Sequence, residues 1–304
     1  MNATHEKGDL SRRLYAGPGY AETEAPAKKT KVGWIFPLWG RPEVFRLVLE
    51  NFVQVRHKLK DLFEMVAICI RSPEDETPWD GLDWFWKEVE TGGVLEVVYS
   101  NEVMGPKWNE GFLMALQWGA DVVLQMGSDN LISWPYVERA VSNVIAGRPI
   151  VGIKQCVFFN WSTSATGIVY PKRNPFGYGP GRFYSSDVLD RLGWTPYPSN
   201  ARRRMEAHIG QNLKSIGLER AHLFDMVFGP GADEVNQIVV DLKTGVSMND
   251  FDAARKRRIR NKEWTDSPKG LGVRMFPDLS WPVEFQKYLT RWVETQNDTS
   301  ERRN

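Results

Sequence analysis

Apolar runs of strand length alternate with helical periodicity between residues 31 and 126, and this alternation limits the fold more than any other feature. "KVGWIFP" (31–37) reads as a buried strand. "RPEVFRLVLENFVQV" follows, with Pro42 at a plausible first helical position and Val44, Leu47, Val48 and Phe52 on one face. "FEMVAICI" reads as a second strand, "GLDWFWKEVET" as a short helix ended by Gly92-Gly93, and "VLEVVYS" as a third strand. "PKWNEGFLMALQWG" reads as a helix closed by Gly119, and "DVVLQM" as a fourth strand. Strands alternating with helices at this spacing predict βα units and a mostly parallel central sheet flanked by helices. Such sheets bind ligands at the carboxyl ends of their strands. Four segments are therefore expected to converge on one edge: 37–40, 71–75, 100–101 and 127–130.

Beyond residue 150 the pattern changes. "IVGIKQCVFFNW" and "ATGIVYP" read as strands, and "NPFGYGPGRFYSS" as a loop rich in glycine and aromatics. "SDVLDRLG" and "RRRMEAHIGQNLKSIG" read as helices, with Gly193 and Gly217 as stops, and "NQIVVDLKTG" as a last strand. Residues 1–30 form a polar arm, 31–245 one α/β domain, and 246–304 a basic, helical C-terminal extension. That extension ends in an amphipathic helix with Phe285, Tyr288, Leu289, Trp292 and Val293 on one face.

The 304-residue chain is long enough to bury a sizeable core, and its formal charge of +1 favours no partner through the whole-molecule field. Cys69 and Cys156 lie in apolar runs and read as buried thiols of a reducing compartment, not as a disulfide framework or metal site. The N-terminus has no signal-peptide core, and no segment approaches the roughly 18 to 20 apolar residues that span a bilayer. A cytoplasmic protein with no membrane partner is expected. Of the thirteen tryptophans, some belong to the core and others are free to stack on a base or sugar.

Asp129 stands just past the fourth strand, in Gly127-Ser128-Asp129-Asn130. A carboxylate there can hold a hard divalent cation, which prefers oxygen ligands. It can equally cap the helix starting near Trp134 or form a turn with Asn130.

The order of these motifs resembles the GT-A glycosyltransferases, of the family-two type, over residues 31–245. A strand ending in a proline-containing turn is "IFPLWGRPE", and the acidic loop after the second strand is "RSPEDE". "MGPKWNEG" supplies the glycine and asparagine on the helix before the key strand. Gly127-Ser128-Asp129 then corresponds to the Asp-X-Asp motif, with its first aspartate replaced by Gly127. The resemblance implies a sugar moved from a nucleotide sugar, a UDP-sugar foremost, to a hydroxyl. Asp129 is implied to hold Mn or Mg nearly alone, unless the site works without metal. Pro37, Leu38, Trp39, Arg41, Ser72, Glu74, Asp75, Lys107, Asn109, Ser128 and Lys243 are implied to contact the donor. Charge building on the leaving diphosphate needs a cation, and Lys107 or Lys243 could supply what Gly127 cannot.

In the resembled family an acidic residue opening a helix after a Gly-rich loop acts as general base. Glu206 matches that place, with Asp187 and Asp190 as rivals. Gly179, Gly181 and Arg182 of the loop and Arg202, Arg203 and Arg204 are expected on the acceptor side. His208 and His222 read as structural residues or extra metal ligands. Six of the eight residues in "RKRRIRNK" are basic, Arg255, Arg257 and Arg258 among them. Such patches either form a solvated face or track a phosphate backbone. The Gly-rich loop with its arginine, "RRRME" and "VVDLKTG" also resemble bacteriophage enzymes that glycosylate hydroxymethylated bases, which makes duplex DNA the expected acceptor and the host cytoplasm the expected setting. A carbohydrate or small-molecule acceptor, a sugar-nucleotide nucleotidyltransferase and a non-catalytic nucleic-acid-binding module remain as alternatives.

Overall fold

The structure, a computed structural model, describes residues 28–77, 87, 93–160, 166–169, 174–202, 205–225, 237–243 and 264–266. Its frame is the predicted one. Strands β1 (Thr30–Pro37), β2 (Phe63–Arg71), β3 (Val94–Val98) and β4 (Val122–Gln125) are parallel neighbours in the order β4-β1-β2-β3. The register pairs Trp34 with Ala67 on one side and Leu124 on the other. Their carboxyl ends therefore finish on a common edge.

Successive side chains of a strand point to opposite faces, and β1 divides its residues accordingly. Val32, Trp34 and Phe36 enter one apolar cluster, while Ile35 enters the other. Helix α1 (Pro42–Leu59) covers the first face, with Trp34 stacked on Phe36 at 5.5 Å and edge-on to Phe52 at 5.3 Å. Its helical period buries Val44, Leu47, Val48 and Phe52, as the sequence predicts. Helix α2 (Met104–Trp118) covers the second face, where fully buried Phe112 meets the Tyr184 ring at 5.8 Å. Gly111 allows this close approach: a Cβ there would lie 2.6 Å from Ile35 Cγ2 and 2.7 Å from Ile70 Cδ1.

The second half builds two sheets where the sequence suggested one. β6 (Ile150–Ile153), β9 (Arg182–Ser185) and β10 (His222–Phe224) extend the first sheet to β10-β6-β9-β4-β1-β2-β3. Only β9 runs against the others. β9 lies inside the stretch expected to be loop. Its Phe183 and Tyr184 are buried, but flanking glycines hide the strand signal. A second sheet orders β12 (Trp264–Asp266), β8 (Thr166–Val169), β7 (Cys156–Asn160), β11 (Val239–Lys243) and β5 (Asn130–Ile132). The run expected as one strand, 150–161, breaks at Lys154-Gln155, and its halves serve different sheets. Helices α3 (Trp134–Ile145), α4 (Ser186–Arg191) and α5 (Met205–Ser215) complete the described structure. Of the extension expected to be helical, the described piece is strand β12, antiparallel to β8. The terminal amphipathic helix and the N-terminal arm through residue 27 lie outside the described residues.

Both cysteines are free and buried, as expected, and burial pushes the Cys69 thiol far above its ordinary pKa. Among the described residues no helix is long and apolar enough to cross a membrane.

Gly111→Ala tests the packing of α2 on the sheet. Overpacking costs about 1–3 kcal/mol, and removing a helical glycine returns about 1 kcal/mol. The variant should lose about 1 kcal/mol in urea unfolding. Unchanged or raised stability would show that the interface yields freely.

Candidate active site at the carboxyl edge of the sheet

The loop after β1 is shaped by two consecutive left-handed residues, Gly40 (φ 55°) and Arg41 (φ 54°). For an arginine this conformation is uncommon. Here it turns the chain into α1 and brings Arg41 Nη1 to 3.1 Å from Asp129 Oδ2. Gly40 N donates to Asp75 Oδ2 at 2.9 Å, joining the loops after β1 and β2. Pro37 and Leu38 are buried, and Leu38 N continues the ladder to Ile70 O at 2.9 Å. Trp39 is 44% exposed, which leaves its ring available for stacking. Glu74 is exposed, and hydrogen bonds from Ser100 and the local backbone lower its pKa.

Lys107 reaches beneath these loops and is itself inaccessible to solvent. Its Nζ donates to Leu38 O at 2.6 Å, Ser72 Oγ at 2.5 Å and Asn101 Oδ1 at 3.0 Å. Burial lowers its pKa to about 8, against the opposing pull of Asp75 and Glu74. An ammonium has three protons, and these three acceptors match them. Asn109, also expected at the donor, instead clasps the Tyr197 backbone, donating to its carbonyl at 2.8 Å and accepting from its N–H at 3.1 Å.

Asp129 does not cap α3, whose N-cap is Ser133. The place of the missing first aspartate is filled. Gly127 N donates to Asn130 Oδ1 at 2.8 Å, and a Cβ on Gly127 would lie 2.8 Å from Asp129 Oδ1 and closer still to Asn130 Oδ1. Ser128 beside it is buried. Asp129 is next to a second carboxylate that the sequence reading passed over. Asp241 on β11 pairs in register with Asn130, and Leu242 N donates to Asp129 O at 2.7 Å. Asp241 is buried, with Lys243 Nζ at 2.6 Å and the Tyr178 hydroxyl donating at 2.7 Å. Burial alone favours a neutral Asp241, but two donors at these distances favour the carboxylate. Burial likewise opposes the Lys243 charge, yet Asp241 and Asp129 outweigh it and raise the lysine pKa. Asp241 and Lys243, two apart on one strand, share a face, and that spacing was the signal available in the sequence.

On the other side of the Gly-rich loop stands Glu206, in the first turn of α5. One carboxylate oxygen, Oε2, pairs with Arg182 Nη2 and accepts from Asn174 Nδ2 at 3.4 Å. The other, Oε1, packs on Gly179, where any Cβ would collide with it. Arg182 was expected among the acceptor-side residues of an open loop. The structure corrects this: Arg182 is fully buried in β9, because its donors are committed inward. Nε donates to Phe176 O at 3.0 Å, Nη1 to the Tyr184 hydroxyl at 3.1 Å and Nη2 to Gly177 O at 3.4 Å. Tyr184 in turn donates to Gln125 Oε1 at 2.8 Å, at the end of β4. Tyr178 bonded to Asp241 and Gly179 against Glu206 are adjacent in sequence, so one short loop touches both charge clusters. Gly181, with φ 78°, anchors that loop by donating to Gln125 O at 2.9 Å. The rivals Asp187 and Asp190 are exposed on α4, and Asp190 accepts from Trp194 Nε1 at 2.6 Å.

Arg202 is exposed and follows Ala201, whose carbonyl accepts from Gly105 N at the first turn of α2. Arg203, Arg204, Arg255, Arg257 and Arg258 lie outside the described residues. Among the described residues a divalent cation finds a poor ligand set at Asp129. That carboxylate is engaged by Arg41, Asp241 by Lys243 and Tyr178, and Asn130 occupies the place of a first aspartate. Among the described residues no three His, Cys, Asp or Glu side chains group as metal ligands, His208 and His222 included.

No protein-family model matches the sequence, and no curated protein does. Solved structures do resemble it. The mannosyltransferase PcManGT from Pyrobaculum calidifontis, in complex with GDP-Man and Mn2+, has a TM-score of 0.51 at 15% identity, covering 88% of this chain and 70% of that one. S. aureus TarS 1-349 has a TM-score of 0.47 at 14% identity, covering 70% of this chain. Its complex with UDP has a TM-score of 0.49 at 13% identity, covering 87% and 70% of the two chains. The chain spans 60% of the TarS 1-349 structure and 39% of the longer TarS structure. The mannosyltransferase likeness shows the fold: a mixed α/β arrangement of the GT-A type, with its seven-stranded central sheet flanked by helices.

Restoring the missing aspartate should harm this site. Gly127→Asp forces a Cβ against Asn130 and Asp129 and adds a third carboxylate beside Asp129 and Asp241. Steric crowding of this kind costs about 1–3 kcal/mol. Thermal unfolding should report the loss, and a Gly127→Asp variant as stable as the parent would contradict the crowding described.

Proposed function

We propose that the chain is a nucleotide-sugar-dependent glycosyltransferase that moves a sugar to a hydroxyl acceptor. The observation that carries this reading is the placing of Asp129 and Glu206. Glu206 packs on Gly179 of the Gly-rich loop, and Asp129 adjoins Asp241, which Tyr178 of the same loop bonds, at the carboxyl edge of a GT-A-type sheet, where open α/β folds take ligands. A similar fold in the mannosyltransferase structure is complexed with GDP-Man and Mn2+, which supports a nucleotide sugar as donor.

In the reaction the acceptor oxygen bonds to the anomeric carbon, and the bond from that carbon to the diphosphate oxygen breaks. The electron pair leaves with the diphosphate. The acceptor proton passes to Glu206, whose Oε2 is fixed by Arg182 and whose Oε1 faces Gly179. Trp39 offers a stacking face for the base, while Glu74 and Asp75 lie on the loop where the ribose would bind. Lys107 shapes the donor loops from beneath, and Ser128 and Lys243 line the diphosphate end. No step runs through a metal ion, because the ligand set that the described residues offer does not fit one.

The acceptor is narrowed only by chemistry. Duplex DNA with hydroxymethylated bases retains the basic clusters of the sequence as its support, and of these Arg202 alone is described. A carbohydrate hydroxyl fits the same Gly-rich loop without needing them. Salt-dependent binding of duplex DNA would favour the first and its absence the second.

A panel of UDP-, GDP- and other nucleotide sugars, scored by thermal shift and by release of nucleoside diphosphate, tests the reading. One donor should stabilise the protein, by about 2.7 kcal/mol at a hundred times its Kd. No shift and no release with any donor would reject it. With that donor, Glu206→Gln should lower turnover by ~10² to 10⁴-fold. Its stability should also fall, by about 1–2 kcal/mol, since Glu206 balances buried Arg182 but is itself partly solvated. A stability loss with turnover unchanged at a temperature where the variant stays folded would make Glu206 a counter-ion and not a base.

A further inference from the structure

A glutamate on the first turn of a helix can swing through several side-chain torsions, yet proton transfer needs its carboxylate within reach of one hydroxyl. We propose that Arg182 and Gly179 are positioning residues that seat the Glu206 carboxylate, and that Oε1 is the oxygen that takes the acceptor proton. This rests on the glycosyltransferase reading above and deepens it on the acceptor side.

Arg182 holds the carboxylate from inside the core. Its side chain is closed to solvent while that of Glu206 is 40% open, so the counter-charge is buried and the carboxylate reaches the surface. The same guanidinium donates to Phe176 O, Gly177 O and the Tyr184 hydroxyl. Its planar fork therefore fixes the carboxylate relative to the Gly-rich loop and, through Tyr184 and Gln125, to the end of β4. The two donors to the carboxylate, Arg182 Nη2 and Asn174 Nδ2, both meet Oε2. Among the described residues no donor meets Oε1, so its lone pairs are left for an incoming hydroxyl.

Gly179 completes the seat on the loop side. Unlike Gly177 (φ 75°) and Gly181 (φ 78°), it has no positive φ, so its backbone would accept a side chain. What it lacks is room: a Cβ there would lie 2.7 Å from Glu206 Cδ and closer still to Oε1. The missing side chain is what lets Oε1 rest against the loop. With the carboxylate so placed, the acceptor O–H bond breaks toward Oε1 as the acceptor oxygen bonds to the anomeric carbon. The electron pair of the broken carbon–oxygen bond leaves with the diphosphate. A misplacement of about 1 Å in such an arrangement can cost about 10²-fold in rate.

Gly179→Ala separates the seat from the fold, because the atoms its Cβ would meet are the far end of a flexible, partly open side chain. The measurement is release of nucleoside diphosphate by the full chain from the UDP-, GDP- and other nucleotide sugars, with Glu206 in place and in a Glu206→Gln background. With Glu206 in place, Gly179→Ala should lower turnover by about 10- to 100-fold, with donor Kd and thermal midpoint kept. In the Glu206→Gln background the same change should alter the residual rate by less than about twofold, since no base is left to misplace. Arg182→Lys, which keeps the charge and loses the fork, should behave likewise in both backgrounds. Should either variant fail to fold, the other decides by the same comparison. Undiminished turnover, an equal loss in both backgrounds, or a loss carried by donor Kd alone would overturn the proposal while leaving the glycosyltransferase reading standing. A wild type that releases nucleoside diphosphate from no donor would take down that reading and this inference together.

Discussion

One buried ammonium organises the edge on which this account depends. Lys107 Nζ bonds the loops after β1, β2 and β3 at once, through Leu38, Ser72 and Asn101. Without that charge, a backbone carbonyl and two side-chain oxygens would each need another donor in a place closed to water. The parallel register of the strands brings the loops to one edge, and Lys107 holds them to one another. Asp75 adds a second tie by accepting from Gly40 N, just before the turn that delivers Arg41. The Arg41–Asp129 contact is thus the outcome of a rigid arrangement below it.

Beside Lys107 and the acids of the loop after β2, two further groups of described charges are each balanced. Arg41 and Lys243 face Asp129 and Asp241, and Arg182 faces Glu206. Tyr178 and Gly179 touch one group each, so the Gly-rich loop sets their separation. A second series of bonds, from Gln125 through Tyr184 and Arg182 to Glu206, ties the candidate base to the end of the strand that leads into Asp129. The groups proposed for binding and for proton transfer are consequently anchored on the same strand, β4.

The first half of the fold was legible in the sequence because β1 and β2 are long and largely apolar and α1 and α2 keep a helical period; the short helix expected over 81–91 lies outside the described residues but for residue 87. The second sheet was not. β5 is three residues long, β9 sits among glycines, and the break at Lys154-Gln155 leaves no mark in hydropathy. At the candidate site, Asp129, Lys243 and Glu206 stood out by position, being polar residues that close or open an element. Their partners were not, since Arg41 with Asp129 and Tyr178 with Asp241 meet over separations of 88 and 63 residues. Arg182 misled for a related reason: an arginine in a glycine-rich stretch reads as exposed, whereas β9 draws it inside, where Tyr184 and the carbonyls of Phe176 and Gly177 accept its protons.

A crystal structure of the protein with the nucleotide sugar that binds it tests the central claim most directly. The account predicts the diphosphate at the loop that carries Asp129, the base beside Trp39, and the anomeric carbon between that loop and Glu206 over the Gly-rich loop. A nucleotide bound away from the carboxyl edge of β1, β2 and β4, or a diphosphate remote from Asp129 with Glu206 turned from the sugar, would contradict it.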